Sequence, residues 1–221
     1  VLIVGSYGMW RGNDNHAQKI ELRQREISAE QRESLRKRLA EDRKRSEIAR
    51  KQDNERAAKA AAKAWAGCSP TGNSPYLVRK GVAGHGVRYS PQGALVVPMM
   101  DTSSQIHGLQ IIRDKATLAS GKLEKEFWPK GHAKKGHFHL IGMPSGLVLV
   151  VEGYATGASL HEATGLPVAV AFDAGNLAPV AQALHKRYKT ARLLICGDAD
   201  QTQKCQNDGC KKPVWLDDGP D

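Results

Sequence analysis

Two apolar runs in this 221-residue chain end in acids. LVLVVEG reaches Glu152, and ARLLICGDAD reaches Asp198 and Asp200. Short apolar runs of this kind read as strands of an open parallel α/β sheet. In open α/β sheets ligands bind at the carboxyl ends of the strands, so the three carboxylates are expected to face one crevice. Like charges about 4 Å apart repel by roughly 1 kcal/mol per pair even in bulk water. A cation between them removes that cost, and hard oxygen donors without His or Cys at ligand spacing favour Mg²⁺ or Mn²⁺ over zinc.

The connecting segments must hold those acids at one edge. After Glu152, GYATGASLHEATG supplies a small-residue turn and a helix over 155–164, closed by Gly165 at a C′ position. PVAVAF over 167–172 is a continuous apolar run, expected as a strand buried on both faces. A turn from Asp173 to Asn176 leads to a helix over 177–188, in which Leu177, Val180, Ala181 and Leu184 recur at helical spacing. This βαβαβ pattern, with crossovers of one hand, predicts an α/β fold on a parallel sheet with flanking helices. Asp173 ends the middle strand, either as a weaker acid of the site or as the cap of the following helix. Gly153 and Gly157 are expected to allow close backbone approach beside the metal, unless they serve turn geometry alone.

At these residues the chain resembles the Toprim superfamily, whose mark is a glutamate after one strand and an Asp-x-Asp pair after a later one. EGYATG, from Glu152 to Gly157, is similar to a motif of Toprim primases carried by conjugative plasmids and satellite phages. Upstream, YLVRKGV, HGVRYSPQGALVVPMMD, IHGLQIIRD and KEFWPKG are similar to the small β-rich subdomain that precedes Toprim in bacterial primases, so the resemblance runs over residues 64–204. It implies a DNA primase of a mobile genetic element that makes short oligonucleotides on single-stranded DNA by metal-dependent nucleotidyl transfer. It also implies Glu152, Asp198 and Asp200 as catalytic and metal-holding residues with Mg²⁺ or Mn²⁺. Single-stranded DNA and nucleoside triphosphates are the implied partners, with a replicative helicase as a further candidate. Replicative primases often carry another acid four residues after the glutamate, where this chain has Thr156, which leaves fewer metal ligands. After Asp200 the chain departs from the pattern in a polar stretch, and Cys205 and Cys210 stand there as C-x4-C, half of a candidate Zn²⁺ site.

The charge is unevenly placed. Residues 1–65 hold 16 Lys and Arg against 10 acids, residues 66–146 hold 10 against 4, and residues 147–221 hold 7 against 9. A basic front joined to an acidic end suits a polyanion whose reacting phosphate meets the metal. Five segments are expected: an incomplete N-terminal piece over 1–27, a long charged helix over 28–66, a β-rich nucleic-acid-positioning unit over 67–145, a truncated Toprim domain over 146–204 and a polar Cys-containing tail over 205–221. The helix has few large apolar residues, Leu35, Leu39 and Ile48, so it reads as a solvated linker or as a nucleic-acid-contacting arm.

Within the β-rich unit, strands over 94–99, 106–113 and 137–141 suggest a compact antiparallel arrangement. Arg88, Arg113, Lys115, Lys125, Lys130, Lys134 and Lys135 form its basic set, and KEFWPKGHAKKGH adds Phe127 and Trp128. Bases beside aromatics suit a single strand, which needs phosphate neutralisation and a stacking platform; Trp128 otherwise plugs the small core. The histidines His85, His107, His132, His137 and His139 lack metal-ligand spacing and read as surface or hydrogen-bonding residues. No apolar run approaches the roughly 20 residues of a membrane span, and four cysteines in a chain this long fit a reducing cytoplasm. The chain opens in a strand-like run without Met and is expected to be part of a longer protein.

Two rival functions share these residues. A Toprim nuclease or strand-passage enzyme would use the same acids to break phosphodiesters, but no tyrosine nucleophile for strand passage is recognisable. A non-catalytic nucleic-acid-binding module would be suggested by a lost acid, and all three are present.

Overall fold

The computed structural model describes residues 28–114, 118 and 124–197, together with the backbone of four short strands at 6–7, 18–19, 202–204 and 211–213. The chain divides into two compact units, Val1–Arg50 and Lys51–Asp221. In the first, β1 (Ser6–Tyr7) pairs antiparallel with β2 (Gln18–Lys19). Helix α1 (Ala29–Ala66) starts at a reciprocal cap, in which the Gln31 N–H donates to Ser28 Oγ at 3.2 Å and the Ser28 N–H to Gln31 Oε1 at 3.0 Å. Free of Gly and Pro and rich in Ala, Glu, Arg and Lys, it has every local reason to be helical. Its buried residues are Ala57, Ala58 and Ala61, while Leu39 and Ile48 are exposed. Among the described residues no helix is long and apolar enough to cross a membrane.

The second unit holds an antiparallel sheet in the order β3 (Arg88–Tyr89), β4 (Leu95–Met100), β5 (Ile106–Ile112), β6 (Lys125–Trp128), with α2 (Pro75–Lys80) packed beside it. Alternation along β4 divides its side chains. Leu95, Val97 and Met99 enter the main core, and Val96 joins Leu109 and Ala61 of α1 in a second cluster.

The other sheet is β10 (Arg192–Cys196), β8 (Leu147–Val151), β9 (Val168–Val170), β7 (His139–Ile141) in spatial order, with α3 (Tyr154–Thr164) and α4 (Leu177–Arg187) as its crossovers. β8 lies between β10 and β9 and runs parallel to both. Leu149, Val151, Val168 and Val170 pack with Ala158 of α3, whereas Val148, Val150, Ala169 and Ala171 pack with Val180 and Leu184 of α4. Such two-sided burial is why these strands are unbroken apolar runs.

One strand belongs elsewhere than its spacing suggests. The run over 137–141, expected in the antiparallel unit, forms β7, which pairs antiparallel with β9, and an isolated Met100–Phe138 bridge ties it to β4. Periodicity reports which face of a strand is buried but not which neighbour it pairs with, and β9 offered an open edge.

Candidate metal and nucleic-acid site

Glu152 immediately follows β8, and the Phe172 N–H donates to its carbonyl at 2.8 Å, so β9 and its exit are stitched to the acid. Phe172 is buried and has φ +74°, a conformation that costs a bulky residue energy and is retained only where the surroundings enforce it. Cys196 pairs with Val151, so β10 ends at the same edge as β8. Asp198 and Asp200 follow it in sequence but lie outside the described residues, as do Lys115, Cys205 and Cys210. Glu152 is half-buried, and among the described residues no lysine, arginine or histidine is paired with it. A hard oxygen donor at a strand end fits a Mg²⁺ or Mn²⁺ ligand.

Asp173 does two jobs at this edge. Its side chain accepts the Asn176 N–H at 3.0 Å, capping the short 3₁₀ turn Ala174–Asn176, and pairs with Lys134. The Lys134 ammonium also lies 5.1 Å from the Phe127 ring centroid, and Phe127 meets Phe172 edge-on at 6.0 Å. Thus the basic loop after β6 rests against the carboxylate edge through a cation and an aromatic ring.

The residue that fastens this loop is Asn176, which is 3% exposed. Its Nδ2 donates to His137 O at 2.9 Å and Ala171 O at 2.8 Å, and its Oδ1 accepts the Gly136 N–H at 2.8 Å. Sequence reading treated Asn176 only as part of a turn. An amide just past a strand end is the available signal, but two of its three partners are about 40 residues away along the chain.

The predicted basic set is not gathered at one place. Arg88 donates to Trp65 O at 2.9 Å and stacks 4.8 Å from the Trp65 ring, where it closes the carboxyl end of α1. Arg113 pairs with Glu126 at 2.8 Å, and Lys125 sits over the Tyr76 ring at 5.6 Å. Trp128 packs with Ala61, Val96 and Leu109 under α1, so the aromatic neighbour of the carboxylate edge is Phe127. Lys130 and Lys135 are exposed.

Gly157 also acts differently from the metal-side role expected of it. A Cβ there would lie 2.8 Å from Val170 Cγ2 and 3.1 Å from Val151 Cγ2, so the glycine lets α3 lie directly on β8 and β9. At Gly153, among the described residues, a Cβ would meet only Thr156 Oγ1, at 3.8 Å. Tyr154, between them, is buried; burial pushes its phenol well above the usual range, and its oxygen accepts the His85 N–H at 2.7 Å.

The histidines make hydrogen bonds. His107 pairs with Asp101 at 2.9 Å and stacks on His137 at 4.1 Å. Burial alone would raise the Asp101 carboxyl, but hydrogen bonds from Ser103, His107 and the Gln105 N–H hold it at about 2. Burial, aided by the neighbouring His107, lowers His137 to about 4, and burial lowers His139 to about 4.

Residues 146–205 match the Toprim domain. Over 135 residues, 58% of this chain, the sequence is 35% identical to a DNA primase TraC of Escherichia coli, and it is 34% identical to a second Escherichia coli DNA primase TraC over the same length. The matched segment is 12% and 9% of those two proteins, so this chain spans only a small part of the curated relatives it matches. Among solved structures it is similar to that of the Aquifex aeolicus primase, zinc-binding and RNA polymerase domains, at 21% identity and a TM-score of 0.37, covering 56% of this chain and 32% of that one. The resemblance carried by EGYATG, to Toprim-containing DNA primases, is thus also what the whole-sequence comparisons return.

Proposed function

We propose that this chain carries the metal-binding centre of a DNA primase, with Glu152, Asp198 and Asp200 as its acids. The observation that supports this most is the shared edge. β8 and β10 are adjacent and parallel, end in register at Val151 and Cys196, and are followed by Glu152 and by the sequence GDAD. When bound, Mg²⁺ or Mn²⁺ supplies an activated 3′-hydroxyl and neutralises the triphosphate. The protein's own part is position and charge. Glu152 is held by the β8–β9 stitching, and the loop carrying Lys134 is pinned beside it by Asn176, so little reorganises as phosphoryl transfer proceeds. The substrates of this reading are a single-stranded DNA template and nucleoside triphosphates.

The test uses single-stranded template, Mg²⁺ and labelled ribonucleotides without an added primer, with the full-length gene product. Short oligonucleotides are expected, and Glu152→Gln is expected to eliminate them, because an amide neither offsets metal charge nor accepts a proton. Metal-dependent nicking of labelled DNA with no synthesis would replace this reading by the nuclease one. Synthesis that survives Glu152→Gln would move the polymerising centre elsewhere.

A further inference from the structure

Two cations expected to meet nucleic acid are engaged by the fold, Arg88 at the end of α1 and Arg113 with Glu126, while exposed Lys125 lies over the Tyr76 ring much as Arg187 lies 5.4 Å over that of Tyr188. Among the described residues, a different set on the flank of the Toprim sheet has no acid paired with it. A groove of about 480 Å³ lies between the 135–136 loop, the β4–β5 turn and α4, lined by Lys135, Thr102, Gln182, Lys186 and Arg187, with Pro179 and Ala183 in its floor. Of these, Pro179, Gln182, Ala183, Lys186 and Arg187 form one stripe of α4, at the i, i+3, i+4, i+7 and i+8 positions. The neighbouring stripe, Val180 and Leu184, is buried in the core and fixes the helix's rotation.

Among the described residues, no lining residue is acidic. The closest acid in sequence, Asp101, is committed to Ser103 and His107. Part of the charge has a local use, since Lys186 and Arg187 stand in the last turn of α4. A helix carboxyl end carries only about half a negative charge, so two full cations leave it net positive. The groove also begins where the chemistry is: Lys135 follows Lys134, the partner of Asp173, and the Gly136 N–H is held by Asn176.

We propose that this groove is a phosphate track that carries the backbone of a single-stranded nucleic acid to or from the carboxylate edge. The inference rests on the primase reading for its ligand and deepens it by naming where the strand lies. From Pro179 to Arg187 the helix advances about 12 Å. Along that length three cations, Lys135, Lys186 and Arg187, can neutralise phosphates of one strand, with Thr102 and Gln182 as neutral donors. The contacts are to backbone and carry no base preference.

The experiment is fluorescence anisotropy of a short labelled oligodeoxythymidylate with the whole chain, across a salt series in EDTA, so that the metal site plays no part. Replacing Lys135, Lys186 and Arg187 together by Ala should weaken binding on the order of 100-fold at 0.1 M salt and flatten the slope of log K against log salt by about 2. The exchange Lys186→Arg with Arg187→Lys should bind like the parent. Gln182→Glu removes no cation but places a carboxylate in the track, and it too should weaken binding while leaving the melting temperature in place. Parent-like affinity and slope in both the triple variant and Gln182→Glu would overturn the groove and leave the primase reading standing. Failure of the parent chain to bind the oligonucleotide would overturn the groove and single-strand binding by this segment together. Displacement of the oligonucleotide by polyglutamate at equal charge concentration would reassign the groove to an acidic polypeptide.

Discussion

Replacing Asn176 by Ala tests whether one buried amide holds the basic loop on the carboxylate edge. The amide is 3% exposed and makes three hydrogen bonds to main chain, two as donor to His137 O and Ala171 O and one as acceptor from the Gly136 N–H. A buried group left without a partner costs about 1–3 kcal/mol. Assigning about 2 kcal/mol to the N–H and about 1 to each carbonyl, which keeps a second lone pair, gives a loss of about 4 kcal/mol. At roughly 2–4 °C per kcal/mol for a unit of this size, melting should fall by about 8–16 °C. Urea unfolding gives the same quantity through the midpoint at constant slope. Asn176→Asp separates the hydrogen bonds from the volume. One oxygen still accepts from Gly136, but the other faces two carbonyls, which favours the protonated acid and raises its folded-state pKa above the unfolded value of about 3.9. That variant's deficit should therefore be largest at neutral pH and shrink as pH falls through the raised pKa. A loss below about 1 kcal/mol in Asn176→Ala, or a pH-independent deficit in Asn176→Asp, would refute the clamp.

Other expectations follow from single distances and shifts. Gly157→Ala, whose Cβ would stand 2.8 Å from Val170 Cγ2, should destabilise by about 1–3 kcal/mol, and Val170→Ala in the same chain should recover part of that in a double-mutant cycle. His137 and His139 are held neutral, at about 4 each against an ordinary 6.5, so their contribution is present above 6.5 and is lost as pH falls toward 4. Stability should then drop with a limiting slope of about 2.7 kcal/mol per pH unit for two protons, and His137→Gln should halve it; a flat profile from pH 7 to 4.5 would contradict the burial of both rings. For the metal, added Mn²⁺ should raise the melting temperature of the parent chain but not of Glu152→Gln, and an equal rise in both would remove Glu152 from the site.

Local chemistry was readable wherever the determining interactions lie within a few residues. The stretch from Ser28 to Ala66 is helical because it has a reciprocal cap at its start and no Gly or Pro within it. The apolar run ending at Glu152 is a strand buried on both faces because nothing polar interrupts it, whereas the equally apolar run ending at Cys196 forms β10, at the end of the strand order among the described residues, with Leu194 and Ile195 exposed. The parallel order of β8, β9 and β10 follows from crossover helices of adequate length. EGYATG further marked the edge where the acid sits, although Tyr154 and Gly157 turned out to serve the packing of α3.

Long-range packing sets how side chains distant in sequence divide their partners. Whether an arginine faces phosphate or a neighbouring helix end depends on where Trp65 or Glu126 comes to rest, and neither lies in its own periodic pattern. The same holds for Trp128, drawn under α1 because alanines there leave room, and for β7, which took the open edge of β9. Alternation and spacing encode burial, a property of one segment against the average interior. Pairing is a property of two segments at once, and the long-range closure that creates the Asn176 clamp and the basic groove beside α4 exists only after the chain has folded.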